Sequence, residues 1–182
     1  MDLNEQADRD FNRARRRAFL RRVGAYLRRD PASNRLLSFE EVRGAVGALE
    51  GAYVGMRVVP VEKIVGSVGR HRDFDRAFLP STESVEGRWK QIDRAMIRAE
   101  ELPAVSLYKM GDAYFVNDGN HRVSVARYHG VESIDAEVVT FRSPRVSPTG
   151  ILGALPNCSG LMSRIRDKLG SALSSRKRSR NR

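Results

Sequence analysis

Apolar positions recur along the chain with two periods, one of three to four residues and one of two, and the switches between them mark out the elements. Residues 5–29 carry no Gly or Pro until Gly24, and Phe11, Ala14, Ala18, Phe19, Val23, Tyr26 and Leu27 fall at helical spacing. The other face is rich in arginine, from Arg13, Arg15, Arg16 and Arg17 to Arg21, Arg22, Arg28 and Arg29. Such a helix lies on a polyanion or a membrane, or packs as an ordinary peripheral helix; the narrow stripe favours packing. Asp30-Pro31 ends it, because the residue before proline is driven out of the helical region. Ser38-Phe39-Glu40-Glu41 has the form of a capping box and predicts a short helix burying Phe39, Val42, Val46 and Leu49. Gly44 and Gly47 weaken that helix, and Glu50-Gly51 stops it.

The period then changes. Arg57 to Val65 predicts a strand with Val59, Val61 and Ile64 turned inward, and Pro60 places it at a sheet edge or gives it an irregular start. Val85, Trp89, Ile92, Met96 and Ala99 form a helical stripe in which Trp89 and Met96 are core residues. Val105–Met110 and Ala113–Val116 read as strands of a hairpin turning at Gly111-Asp112. A tight turn at Asp118-Gly119 leads into a helix from Asn120 to His129, with Gly130 at a natural cap position, and Glu132–Phe141 gives the last strand. The expected fold is α/β (α+β): a small mixed sheet with packed helices over 57–141. A basic helical extension, 1–56, precedes it. A Pro- and Ser-containing segment, 142–182, follows, with an amphipathic helix on Leu161, Ile165, Leu169 and Leu173 and a basic tail at 174–182 expected to be disordered unless bound.

Composition alters this picture mainly through charge. With 41% hydrophobic and 30% charged residues, a folded core is expected. No apolar run approaches the roughly 20 residues of a membrane helix. The N-terminus lacks a secretory apolar core, and Asp2, Glu5, Asp8 and Asp10 argue against a mitochondrial transit peptide. The single cysteine, Cys158, excludes an internal disulfide, and a cytoplasmic setting is expected. The formal charge of +11 is uneven. Residues 1–30 hold nine Arg against five acids, 142–182 hold ten basic residues against Asp167, and 31–141 hold fourteen bases against sixteen acids. Basic ends on a nearly neutral domain suit a nucleic acid, contacted through 174–182 and the N-terminal basic helix; a solvated tail is the alternative.

The strongest chemical signal is the strand–turn–helix over Ala113–Gly130. A helix start presents free N–H groups and the positive end of its dipole, so Gly119, Asn120 and His121 are placed to hold phosphate oxygens, and Arg122 to add a charge-assisted contact. His121 is a candidate for moving a proton, and Asp118 for a general base or a water-mediated magnesium ligand, its alternative being a plain Asx-turn. The loop Gly66–Asp75 carries Arg70, His71 and Arg72; Arg70 and Arg72 are expected to close over the ligand, unless they pair with Asp73 and Asp75. His129 reads as a capping side chain. No Walker-type glycine–lysine loop is present, and no metal cluster is specified.

Asp118-Gly119-Asn120-His121-Arg122 with the following Val123-Ser124-Val125-Ala126 resembles the G-x-x-R signature of the ParB and sulfiredoxin superfamily, and Val58–Val65 resembles that domain's opening strand. The resemblance covers 57–141. It implies a nucleotide (ATP, ADP or CTP) held by its phosphates at the turn, with Mg2+ permitted. That fold hosts partition proteins that bind a cytidine nucleotide, ATP-dependent sulfiredoxins, kinases of free serine and proposed nucleases. Asn120 stands where sulfiredoxins carry their reactive cysteine, so that chemistry is not expected. Residues 142–182 leave no room for the partition proteins' helix-turn-helix and dimerisation regions, so a complete partition protein is not expected either. Three readings follow: a nucleotide-binding domain with nucleic-acid association, a phosphotransferase or nucleotide hydrolase acting on a small molecule, and a non-catalytic regulator docking through 161–173.

Overall fold

A computed structural model describes residues 2–47 and 50–143. Cys158, the 161–173 helix and the 174–182 tail lie outside the described residues.

The order of elements is α1 (Leu3–Leu27), β1 (Leu37–Ser38), α2 (Phe39–Val46), β2 (Gly51–Pro60), β3 (Ile64–Ser67), α3 (Glu86–Ile97), β4 (Val105–Met110), β5 (Ala113–Asp118), α4 (Asn120–Tyr128) and β6 (Ser133–Phe141). The strands form one mixed six-stranded sheet in the order β1-β3-β5-β4-β6-β2. β4 and β5 make the expected antiparallel hairpin, while β3 runs parallel to β5 and β4 parallel to β6. The fold is mixed α/β.

Successive strand residues face opposite sides of a sheet, and each side has its own core. Val116 of β5 joins Val105 and Leu107 of β4 in a cluster with Phe11 of α1, Trp89 and Ile92 of α3, and Val123 and Val125 of α4. Phe115 faces the other way and packs with Met110 and with Phe39, Val42 and Val46 of α2. Helices α1, α3 and α4 therefore cover one face and α2 the other.

Several expectations are met and others corrected. Pro60 ends an edge strand, as its missing N–H requires. The strand expected over Arg57–Val65 is broken by a short 3-10 turn at Val61–Lys63; its first half lies in β2 at one edge of the sheet and its second in β3, one strand in from the other edge. Arg127 of α4 pins that turn, donating to the carbonyls of Val61 and Ile64 at 2.7 Å each. Ser38 precedes α2, but its side chain makes no capping bond, and the helix stops at Gly47 in a left-handed conformation (φ 62°), before Glu50-Gly51. The expected boundary at 56/57 falls inside β2, and α1 and α2 contribute to the same two cores as the rest of the chain.

α1 packs as a peripheral helix along one narrow face. Ala7, Phe11, Ala14, Ala18 and Ala25 are buried, whereas Phe19, Val23, Tyr26 and Leu27 are exposed. Helical angle explains the difference: at about 100° per residue Phe19 and Tyr26 lie roughly a quarter-turn round from the narrow face that α1 presents to α3. Where they meet, Phe11 lies 5.6 Å from the Trp89 ring, Trp89 lies 5.5 Å from Tyr128, and the Tyr128 hydroxyl donates to Asp10 at 2.6 Å. The Trp89 indole donates to Ser124 Oγ at 2.9 Å, which joins α3 to α4 inside the core. Trp89→Ala is expected to lower stability to urea by about 3–5 kcal/mol through the cavity it leaves. Ser124→Ala, which orphans the indole N–H, is expected to cost about 1–3 kcal/mol.

Candidate functional site at the start of α4

β5 ends at Asp118 and α4 begins at Asn120, so a single residue turns the chain. Gly119 does this with φ +97°, and a Cβ there would stand 2.7 Å from Val105 Cγ1 and 3.0 Å from the Arg122 guanidinium. Both conformation and space demand glycine. No side chain among the described residues caps α4, so its first N–H groups face a small cleft. That cleft, about 220 Å³, is lined by Arg70, Arg88, Ile92 and Asp118–Arg122.

The expected residues divide by what they touch. Arg122 lines the cleft, yet its guanidinium is engaged with the scaffold: Nη1 donates to the carbonyls of Pro103 and Ala104, the latter at 2.9 Å, and Nη2 pairs with Asp118 Oδ2 at 2.6 Å. Asp118 is mainly exposed, at 77% of its side chain, and it shapes the turn through this pair. Arg70 reaches the cleft, while Arg72 turns away with His71 into a separate hollow beneath α1. Tight turning in the loop sends neighbours to opposite sides. Ser67 Oγ, itself donating to the Val116 carbonyl, accepts from the Arg70 N–H at 3.1 Å, and the Asp73 N–H returns to the Arg70 carbonyl. Arg70 also pairs with Asp73 at 3.3 Å, so the self-pairing expected of this loop is present beside its cleft position. Asp75 is a structural residue: buried, it accepts from the Ala77 and Leu79 N–H groups and from Arg21 at 3.1 Å, and burial raises its pKa against those bonds.

Arg88 was not expected. It lies in the first turn of α3, one position off the Val85–Trp89–Ile92 stripe, where a sequence shows only a solvated face. The available signal was its spacing of four from Ile92, which shares the cleft wall.

His121 is the electrostatic centre. Burial, then Arg70, then Arg88 push its pKa down to about 4, with Asp73 and Asp118 opposing. The imidazole is neutral at physiological pH. Its Nε2 is buried with no hydrogen-bond partner among the described residues, and so is Oδ1 of Asn120, itself buried. The ring stands edge-on to Phe74 at 5.7 Å. Two guanidinium groups and an uncapped helix start line one cleft, and beside them His121 holds a buried, unpartnered imidazole nitrogen, an arrangement able to bind a multiply charged tetrahedral anion. Among the described residues no group of three or more His, Cys, Asp or Glu is placed to hold a metal ion. His129 is no carbonyl cap: its Nε2 meets the fully buried Asp93 at 2.7 Å, which raises its pKa and ties the end of α4 to the middle of α3.

In comparisons with known proteins, no family model and no curated protein matches the chain. Among solved structures the chain is similar to sulfiredoxin from Arabidopsis thaliana, at 17% identity and a TM-score of 0.35, over 46% of this chain and 82% of that one. Among the described residues no helix is long and apolar enough to cross a membrane.

Gly119→Ala is expected to destabilise by about 1–3 kcal/mol or more, from the left-handed backbone and the Val105 contact together. A loss below about 0.5 kcal/mol in urea unfolding, the range of a surface change, would show that the turn is not constrained as described. A pH series tests His121. Its folded pKa of about 4 lies below the ordinary 6.5, so the unfolded chain takes up the proton first as pH falls. The stability associated with the neutral ring is complete above about 6.5 and is lost as pH falls toward 4. His129, raised by Asp93, has the opposite sign: its contribution is present below the ordinary value and lost as pH rises through the folded one. The difference in stability between wild type and His121→Gln should therefore change between pH 6.5 and 4 and stay flat above.

Proposed function

We propose that the cleft at the start of α4 binds the phosphate groups of a nucleotide, and that the protein is a ParB/sulfiredoxin-like nucleotide-binding domain. The observation that carries this reading is the buried, unpartnered Nε2 of His121 beside Arg70 and Arg88 at an uncapped helix start. Each guanidinium gives charge-assisted donors to phosphate oxygens, and the α4 N–H groups give fixed ones. The neutral ring donates from Nε2 in one tautomer; beside a bound anion the imidazolium becomes the favoured form. The Asp118–Arg122 turn that resembles the superfamily signature has a supporting role here, holding α4 against the start of β4.

Phosphoryl transfer is the second reading. It needs a base or metal ligand free to act, and the exposed Asp118 is tied to Arg122, so binding is the stronger of the two. Calorimetric titration of ATP, ADP and CTP, with and without magnesium, tests the reading. One nucleotide is expected to bind, and Arg88→Ala and Arg70→Ala are each expected to weaken it by about tenfold or more, the scale of a lost charged hydrogen bond. Arg122→Ala should instead lower the melting temperature of the free protein, because it frees two carbonyls and a carboxylate. Binding that survives the double Arg70→Ala/Arg88→Ala change would contradict the proposal. Turnover that disappears in Asp118→Ala would replace it with phosphoryl transfer.

A further inference from the structure

The second hollow, about 550 Å³, lies under the outer half of α1 and is walled by the Pro31–Arg35 turn and the loop that holds His71 and Arg72. Arg15, Phe19, Arg22 and Tyr26 line it from α1, at successive spacings of four, three and four. That spacing sets all four on one helical face, as an alternation of guanidinium and ring about 16 Å long. Phe19 and Tyr26 belong to the apolar stripe read from the sequence, yet they are 53% and 75% exposed at the rim of the hollow. The Arg22 guanidinium stacks over the Phe19 ring at 5.6 Å.

From the opposite wall come Arg35 and Arg72. Arg15 pairs with Glu83 at 2.7 Å, but no carboxylate among the described residues lies within salt-bridge distance of Arg22, Arg35 or Arg72. The one acid in the lining, Asp75, already faces Arg21 and two backbone N–H groups. The hollow is thus a concave, positively charged surface with two exposed rings. His71 adds a buried Nδ1 that has no partner among the described residues.

We propose that this hollow binds single-stranded nucleic acid. Bases stack on Tyr26 and against the Phe19–Arg22 pair, and the phosphodiester backbone runs along Arg35 and Arg72. Flat rings interleaved with unpaired guanidinium groups suit a polyanion that carries flat rings of its own, and stacking tolerates any base. A duplex, whose bases are already stacked, could use only the charges. An anionic bilayer is the competing partner, since Leu20 and Leu27 on α1 are also exposed. A bilayer meets a convex face, however, and would leave Arg35 and Arg72 on the far wall without a role. The proposal rests on the polyanion reading of the basic N-terminal helix and is independent of the nucleotide reading of the α4 cleft.

The test is fluorescence anisotropy of the full chain with a labelled oligothymidylate of about 12 nucleotides, within the range such grooves cover, over a salt series. Tyr26→Ala is expected to weaken binding about tenfold at every salt concentration, with Tyr26→Phe close to wild type, because stacking carries the loss. Arg72→Ala should weaken binding and reduce the slope of log K against log salt by about 0.7, one phosphate contact on a single strand. Arg88→Ala, in the other cleft, should leave oligonucleotide binding unchanged, which separates this proposal from the nucleotide one. Tyr26 is exposed, so its substitution should leave the melting temperature within about 1 °C of wild type, in keeping with a surface change. Oligonucleotide binding that is unchanged in both Tyr26→Ala and Arg72→Ala would place the contact elsewhere and overturn the proposal. So would capture by phosphatidylserine vesicles, lost in Tyr26→Ala, with no oligonucleotide bound.

Discussion

The reversal of the chain at Gly119 is the constraint on which the candidate site depends. The backbone turns there with φ +97° against the side chain of Val105, in a space that admits no Cβ. Arg122, in the first turn of α4, then bonds to the carbonyls leading into β4 and back to the carboxylate closing β5. Hairpin, turn and helix are locked as one piece. At the far end of α4, Arg127 holds the turn between β2 and β3, and His129 holds Asp93 of α3. These contacts hold α4 at both ends and set its uncapped start beside the cleft formed with Arg70 and Arg88.

Positive charge is then concentrated where an imidazole is half-buried. A histidine in water would share that charge with solvent. Here burial and two arginines hold it neutral, and its Nε2 meets no protein group among the described residues. An arrangement that disfavours a proton in the free protein is one that an anion would reverse. The loop after β3 connects the two basic surfaces: Arg70 faces the α4 cleft, His71 and Arg72 face the hollow under α1, and Phe74 between them touches the His121 ring.

Local signals in the sequence carried well. The Gly111-Asp112 hairpin, the glycine turn before Asn120, the end of α4 near His129 and the Trp89 stripe each depend on residues within a few positions of one another, and each is in the structure. What failed depended on distant partners. Nothing near Arg122 shows that Pro103 and Ala104 leave carbonyls for it to bond. Nothing near Val61 shows that its strand breaks and resumes across the sheet. Phe19 and Tyr26 have helical spacing, but the small residues Ala18 and Ala25 beside them are the ones that α1 buries, so the rings fall on the neighbouring, open face. Arg70 and Arg72 look equivalent as text, and the hydrogen bonds around Ser67 and Asp73 separate them. Arg88 was hidden for the same reason: a charge on the outer face of a helix acquires meaning only from the loop packed beside it.

The central claim is that His121 is kept neutral by a cleft built for phosphate. The most direct measurement follows the His121 ring by NMR across pH, in the free protein and with saturating nucleotide. The account predicts titration near pH 4 in the free protein and a rise toward or beyond the ordinary value of 6.5 with nucleotide bound. It also predicts an upward shift of the free value in Arg70→Ala and Arg88→Ala, since both arginines oppose the charge. A free His121 that titrates near 6.5, or one whose titration is untouched by saturating nucleotide, would contradict it.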